Sequence, residues 1–149
     1  DFLRKVRELG FAVKLDTNGC DPARLAEILD RGLVDYVAMD VKNAPARYAE
    51  TVGVPDFDLA PVEESIRLLR KSTVDYEFRT TLVRELHRPE DLDAIAAWLA
   101  GSPRYYLQNF VDSGNLIGRG YHGFTAEELR GFAERVRPFF GAVELRGVD

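Results

Sequence analysis

The chain has little to hold it together except packing. Of its 149 residues only Cys20 is a cysteine, which excludes an internal disulfide framework and fits a reducing cytoplasm. No apolar run approaches the length of a membrane span, and a secretory leader is not expected. Basic runs are missing and the net charge is −5, so neither a membrane nor nucleic acid is the expected partner. The two histidines, His87 and His122, have no metal partner at a recognisable spacing. Repeats, linkers and low-complexity tracts are absent too.

What is present is a regular alternation of helix and strand patterns. Residues 1–9 read as a helix with Phe2, Leu3, Val6 and Leu9 on one face, and Gly10 ends it. Residues 11–17 read as a strand. Asp21 and Pro22 supply an N-cap and a first-turn proline for a helix carrying Leu25, Ile28 and Leu29, which stops near Gly32. A strand is expected at 34–41 and a longer connection at 43–60, with a short helix at 47–52. Pro61 opens a helix with Val62, Ile66 and Leu69 inward. A strand at 76–83, a helix at 89–99 and a strand at 104–110 follow. After a loop at 111–124, Thr125 and Glu128 form a capping box for a helix to about residue 139, and a strand at 142–145 closes the chain. This order predicts an α/β fold with a parallel sheet, in one domain.

The stretch 14–42 organises the rest. A strand, a helix and a second strand this close make one βαβ unit with parallel strands. The polar ends Asp16-Thr17-Asn18 and Asp40-Val41-Lys42 then leave the sheet at its carboxyl edge, where parallel α/β folds place their ligands. Strands covered on both faces should read as nearly continuous apolar runs. These do not: Glu77, Arg79 and Thr81 alternate on one face, and Gln108 sits within its strand. Either a polar lumen opens at the carboxyl edge, or these faces are solvated or their charges pair with one another. By itself, Asp16-Thr17-Asn18-Gly19 is an ordinary turn; a partner Met39-Asp40-Val41-Lys42 at this distance favours a site. Gly118-Arg119-Gly120 with Gly123 matches a phosphate-loop pattern only weakly, because it does not directly open a helix.

Leu15-Asp16-Thr17-Asn18-Gly19 followed by Met39-Asp40-Val41-Lys42 resembles the middle of a radical S-adenosylmethionine (SAM) activating enzyme. The resemblance continues through Arg79-Thr80-Thr81, His87 and Leu107-Gln108-Asn109-Phe110. The group it most resembles is the activating proteins of anaerobic ribonucleoside-triphosphate reductase, with pyruvate formate-lyase activating enzymes as near relatives. The formate-lyase group usually has a histidine just after the fourth strand, where this chain has Val111. That departure favours the reductase group and removes one expected SAM contact.

The resemblance implies a partial (β/α)6 TIM-like barrel of the radical SAM type, amino-terminally incomplete, with residues 1–149 as its carboxyl-terminal part. It implies SAM as cofactor, with Asp16, Thr17, Asp40, Lys42, Arg79 and Gln108 as its binding residues; Lys42 suits the carboxylate and Asp40 the ribose or amine, while for Arg79 the partner's glycyl loop or a pairing across the lumen stays open beside SAM. A small cation held by Asp16, Thr17, Met39 and Asp40 is a further expectation. It also implies a [4Fe-4S] cluster in the complete protein, on a Cys-x3-Cys-x2-Cys loop that this chain lacks. One thiolate cannot hold such a cluster, so no catalytic residue is assigned and the chain alone is expected to be inactive. The implied partners are a glycyl-radical enzyme, which the 111–124 loop would meet, and an electron donor such as flavodoxin or ferredoxin. Three alternatives stay open: an activase of another glycyl-radical enzyme such as pyruvate formate-lyase, a small-molecule radical SAM enzyme, and a non-catalytic α/β ligand-binding domain. Cys20 reads as incidental, His87 as a helix-start residue and His122 as a solvated loop residue.

Overall fold

A computed structural model of the chain describes residues 1–112, 114 and 120–148; the middle of the 111–124 loop, including Gly118 of the glycine pattern, lies outside the described residues. The elements follow in the order α1 (Phe2–Glu8), β1 (Lys14–Thr17), α2 (Pro22–Asp30), β2 (Tyr36–Asp40), α3 (Tyr48–Val52), α4 (Ala60–Lys71), β3 (Asp75–Leu82), α5 (Pro89–Leu99), β4 (Arg104–Asn109), α6 (Ala126–Val136) and β5 (Ala142–Arg146). Single 3-10 turns precede α3, at Pro45–Arg47, and follow α6, at Arg137–Phe139. The strands form one sheet in the order β1-β2-β3-β4-β5, and the pairs β1–β2, β3–β4 and β4–β5 are parallel. The expected α/β class with a parallel sheet is what the chain adopts.

The chain divides into two compact units, one of residues 1–40 and 58–77, the other of residues 41–57 and 78–149. In the first unit Asp21 caps α2 by accepting the Arg24 N–H at 2.9 Å, with Pro22 in the first turn, and α2 packs on α4. Val62, Ile66 and Leu69 of α4 are fully or nearly fully buried. β2 is the strand buried from both sides, with Val37, Ala38 and Met39 at 0% exposure. Here the expectation of continuous apolar sequence in a covered parallel strand holds.

The amino-terminal region departs from expectation. β1 starts at Lys14 rather than residue 11, and Phe11 is 65% exposed. Helix α1 forms but buries none of its residues. Its hold on the unit includes an ion pair, Arg7 Nη1 to Asp35 Oδ2 at 2.7 Å, and the same carboxylate oxygen accepts the Val13 N–H at 2.7 Å. The Arg7 guanidinium holds the Asp35 carboxyl below the usual carboxylate range.

In the second unit the strand pattern sorts side chains cleanly. Phe78, Thr80 and Leu82 of β3, Tyr105 and Leu107 of β4 and Val143 of β5 are buried on one face. Helix α6 packs on β4, β5 and α5, and the Tyr105 ring stacks on Phe140 at 4.7 Å. Leu92, Ile95 and Leu99 of α5 complete this core. The alternate residues Arg79, Arg104, Tyr106, Gln108 and Arg146 are only half-buried, so the opposite face of these three strands is polar. α6 begins as its sequence predicts: Thr125 Oγ1 accepts the Glu128 N–H at 3.2 Å and Glu128 Oε2 accepts the Thr125 N–H at 2.8 Å.

Candidate functional site

In the first unit the register pairs Asp16 with Ala38 and Thr17 with Met39. Side chains alternate along a strand, so Asp16 and Asp40 share one face while Thr17 and Met39 share the other. Asp16 is exposed and lies 3.1 Å from the Lys14 ammonium two residues earlier; Asp40 is half-buried. Met39 is fully buried on the helix side, under the turn that follows β1. The four residues expected to hold a cation are therefore split between faces. Among the described residues no three His, Cys, Asp or Glu side chains gather as a metal-holding group.

The turn after β1 is built tightly. Thr17 Oγ1 accepts the Gly19 N–H at 3.1 Å, and Asn18 Oδ1 accepts the Cys20 N–H at 3.0 Å. The buried Ser65 hydroxyl of α4 donates to the Gly19 carbonyl at 2.8 Å. Gly19 has φ +75°, and a Cβ there would lie 2.1 Å from Met39 Cε and 3.3 Å from Ser65 Cβ. The turn is thus more than a loop closure: it is seated on α4 through Ser65, and it orients the end of β1. Cys20 is exposed beside it.

Glu77 ends the first unit and is not a lumen ligand in waiting. It is 2% exposed, and the Tyr36 hydroxyl donates to its Oε2 at 2.7 Å. For Glu77, the reading in which such charges find protein partners is the one the structure supports. Arg79 and Thr81, on the same strand face, lie half-buried and exposed respectively.

The second unit begins where β2 ends, and there the backbone is fixed one group at a time. The Val41 N–H donates to the Arg79 carbonyl at 2.9 Å. The Val41 carbonyl accepts the Thr80 hydroxyl at 2.8 Å, and the Tyr105 hydroxyl donates to Thr80 Oγ1 at 2.8 Å. Burial of Tyr105 raises its phenol above the ordinary range, so it stays a donor. The Lys42 carbonyl lies 2.8 Å from His87 Nε2. Asn43, fully buried, donates through its side-chain amide to Thr51 Oγ1 at 2.8 Å and to the Leu86 carbonyl at 3.0 Å. Arg47 Nη1 also donates to the Leu86 carbonyl, at 2.9 Å, and to Asp91 at 2.6 Å. Asp91 in turn accepts the Arg88 N–H at 2.8 Å, at the start of α5.

Three residues in this cluster exceed what the sequence suggests for them. Thr80 reads as a strand former and His87 as a helix-start residue, yet both hold the strand exit that carries Lys42. His87 is 4% exposed, and burial pulls its imidazole below the ordinary histidine range. Asn43 sits in the long connection with no motif around it. The sequence signal for all three is weak: polar residues that must each find a partner once buried.

On the polar face of β3, β4 and β5 the register aligns Arg79 with Tyr106 and Glu144, and Thr81 with Gln108 and Arg146. Arg146 Cζ lies 3.7 Å from the centre of the Tyr106 ring. Arg79 and Gln108 thus occupy one face, Gln108 one row nearer the carboxyl edge. The next residue, Asn109, closes the base of the 111–124 loop. Its side-chain amide accepts the Phe124 N–H at 2.9 Å and donates to the Phe124 carbonyl at 3.0 Å. Arg84 and Glu85 reinforce that base: Arg84 pairs with Glu128 and sits 4.7 Å from the Phe124 ring, and Glu85 Oε1 lies 2.7 Å from His122 Nδ1. Arg84 lowers the Glu128 carboxyl to about 2. His122 is exposed, as expected, but it is tied to Glu85.

A surface hollow of about 530 Å³ lies within the first unit. It is lined by Arg4, Arg7, Arg31 and Leu33 at the amino edge of β1 and β2, opposite the edge where ligands of parallel sheets bind.

No family model matches the chain. A curated protein does. The chain is similar to a protein provisionally named a glycyl-radical enzyme activating enzyme. That protein, from Methanocaldococcus jannaschii, is 35% identical over 114 residues, which are 74% of this chain and 47% of the relative. The chain therefore spans about half the length of the curated relative it matches. Among solved structures it is similar to a domain of the pyruvate-formate lyase-activating enzyme of Bacteroides vulgatus, with TM-score 0.78 and 15% identity over 99% of this chain and 88% of that one. At that identity the likeness establishes the fold. The parallel sheet and its helices share the fold of that domain.

Proposed function

We propose that the chain is the carboxyl-terminal part of a radical SAM activating enzyme that generates a glycyl radical on a partner enzyme, in a reducing cytoplasm. The observation that carries this reading is the 35% identity over 114 residues to a protein named for that activity. The fold shared with a formate-lyase activating domain supports it. So does the chemistry at the ends of β1 and β2, where Asp16-Thr17-Asn18-Gly19 and Met39-Asp40-Val41-Lys42 stand.

Each proposed contact fits SAM by its donor type. Lys42 presents a point positive charge for the carboxylate. Asp40 presents an acceptor for the amine or the ribose hydroxyls. Arg79 of β3 and Gln108 of β4, half-buried on one face of that strand pair, offer donors to the same class of ligand. Asp16 offers an exposed acceptor, while the Thr17 hydroxyl is engaged in its own turn. When bound, a [4Fe-4S] cluster supplies the electron that cleaves SAM. The single exposed Cys20 cannot hold it, so in this proposal its ligands lie outside these 149 residues. The role left to these residues is orientation of SAM and exclusion of water.

The finer assignment is anaerobic ribonucleoside-triphosphate reductase as the activated partner, with a flavodoxin or ferredoxin as electron donor. It is supported by Leu107-Gln108-Asn109-Phe110 and by Val111 in place of a histidine. The test uses the protein expressed anaerobically from its complete coding sequence. On reduction, SAM should be cleaved to 5′-deoxyadenosine, and Asp40→Ala or Lys42→Ala should lower that yield at least tenfold. A cluster-loaded protein that leaves SAM intact would end the proposal. Glycyl-radical formation on the reductase, set beside formate-lyase, decides the partner.

A further inference from the structure

Lys42 lies two residues beyond Asp40, the last residue of β2, where the strand gives way to an irregular segment. His87, from the loop between β3 and α5, holds the Lys42 carbonyl. Two contacts set the imidazole. The Val83 N–H approaches Nδ1 at 3.1 Å, and a backbone N–H can only donate, so Nδ1 carries its lone pair. Nε2 lies 2.8 Å from the Lys42 carbonyl, which can only accept, so Nε2 carries the hydrogen. The Val83 carbonyl is 3.2 Å from Nδ1 but already receives the His87 N–H at 2.9 Å. The partners thus assign one neutral tautomer. At 4% exposure the ring has nowhere to turn, and Val83 beneath it is 9% exposed.

We infer that His87 is a positioning residue for Lys42: its Nε2–H holds the Lys42 carbonyl and thereby sets where the ammonium reaches. The inference rests on the proposed reading of Lys42 as a contact for the SAM carboxylate. The surrounding segment makes the effect specific. Val41 is held by Arg79 and Thr80, and Asn43 by Thr51 and Leu86, so within this exit the Lys42 carbonyl is the backbone group that depends on His87. Losing that bond removes one restraint from the peptide between Val41 and the side-chain-anchored Asn43. Its consequence is expected at the residue it carries rather than across the fold.

A double-mutant cycle on SAM affinity tests this, with calorimetry on the complete cluster-loaded protein under anaerobic conditions. Lys42→Ala should weaken SAM binding about tenfold, the worth of a charge-assisted contact. His87→Ala should weaken it about fivefold, the worth of one hydrogen bond, when Lys42 is present, and should do nothing further in the Lys42→Ala background. His87→Gln, which keeps a donor at the Nε2 position, should recover most of the affinity and guards against misfolding of the alanine variant. The same factor for His87→Ala in both backgrounds would make His87 structural and overturn the inference while leaving the role of Lys42 intact. No effect of Lys42→Ala would overturn both. Imidazole 15N shifts of His87 give a readout independent of SAM: the neutral Nε2–H form supports the assignment, and the Nδ1–H form refutes it.

Discussion

A methyl group in place of the Gly19 hydrogen would lie 2.1 Å from the end of the Met39 side chain, in a backbone conformation with φ +75° that L-residues avoid. The Met39 terminus is flexible but fully buried, so it has no empty space to move into. Gly19→Ala should therefore cost about 2–3 kcal/mol from strain and overpacking together, read as a lower urea midpoint with unchanged m-value. A midpoint within error of the parent would mean that the turn is not seated as described. His87 makes a second residue-scale prediction. Its partners leave it neutral, and among the charged groups facing it Asp91 favours the protonated form while Arg47 opposes it, with burial the largest influence and downward. Because the folded pKa is lowered, the unfolded chain binds the proton more readily. The His87 contribution is then complete above about pH 6.5 and is lost as pH falls through the folded value. Stability measured from pH 7.5 to pH 5 should decline more steeply in the parent than in His87→Gln; parallel curves would remove His87 as the cause. The two residues differ in legibility. The Asn18-Gly19 dipeptide announces a turn, but its seat on Met39 and Ser65 is a tertiary fact. His87 precedes a proline-led helix and reads as punctuation, because local sequence does not tell which carbonyl a histidine will meet 45 positions away.

Elements were legible where their signals are local. Helix α5 spans Pro89–Leu99, as its first-turn proline and its Leu92, Ile95 and Leu99 spacing require. The α6 start follows from its capping box, and α2 from Asp21 and Pro22. Strand ends were less legible, since a strand stops where its partner stops: β1 pairs β2 over only four residues, leaving Phe11 outside the ladder. α1 shows the limit of periodicity. Its apolar stripe is real, yet none of its residues is buried, because a stripe does not say what will cover it. A seven-residue helix without buried side chains should open at low free energy. In hydrogen exchange the α1 amides should exchange at least a hundredfold faster than those of α5, whose Leu92, Ile95, Ala96 and Leu99 are buried. Equal protection in the two helices would contradict this account.

For the whole molecule the sequence carried the fold class, because strict alternation of helix and strand leaves a parallel sheet as the simple solution. It carried less of the candidate site. Asp40, Lys42, Arg79 and Gln108 were legible as polar groups interrupting apolar strands, whereas the division of Asp16 and Asp40 from Thr17 and Met39 needed the register. Charge is a property of the chain as a whole. With a net charge of −5, the protein should show no measurable affinity for duplex DNA at 150 mM salt in a fluorescence titration. Binding that weakens steeply with added salt would expose a basic surface that the composition hides. Among the described residues no helix is long and apolar enough to cross a membrane.

The lone thiol has a practical value. Cys20 is exposed, adjoins the turn that closes β1, and its amide is held by Asn18. A maleimide-linked spin label would attach at one known position in this chain without removing any other sulfhydryl. Its tether would start one residue from Gly19, whose carbonyl is anchored to α4 by Ser65. The probe would thus report, from a rigid mount and without any mutation, how firmly the turn beside Asp16 and Thr17 is held, its spectral lines narrowing as the turn loosens.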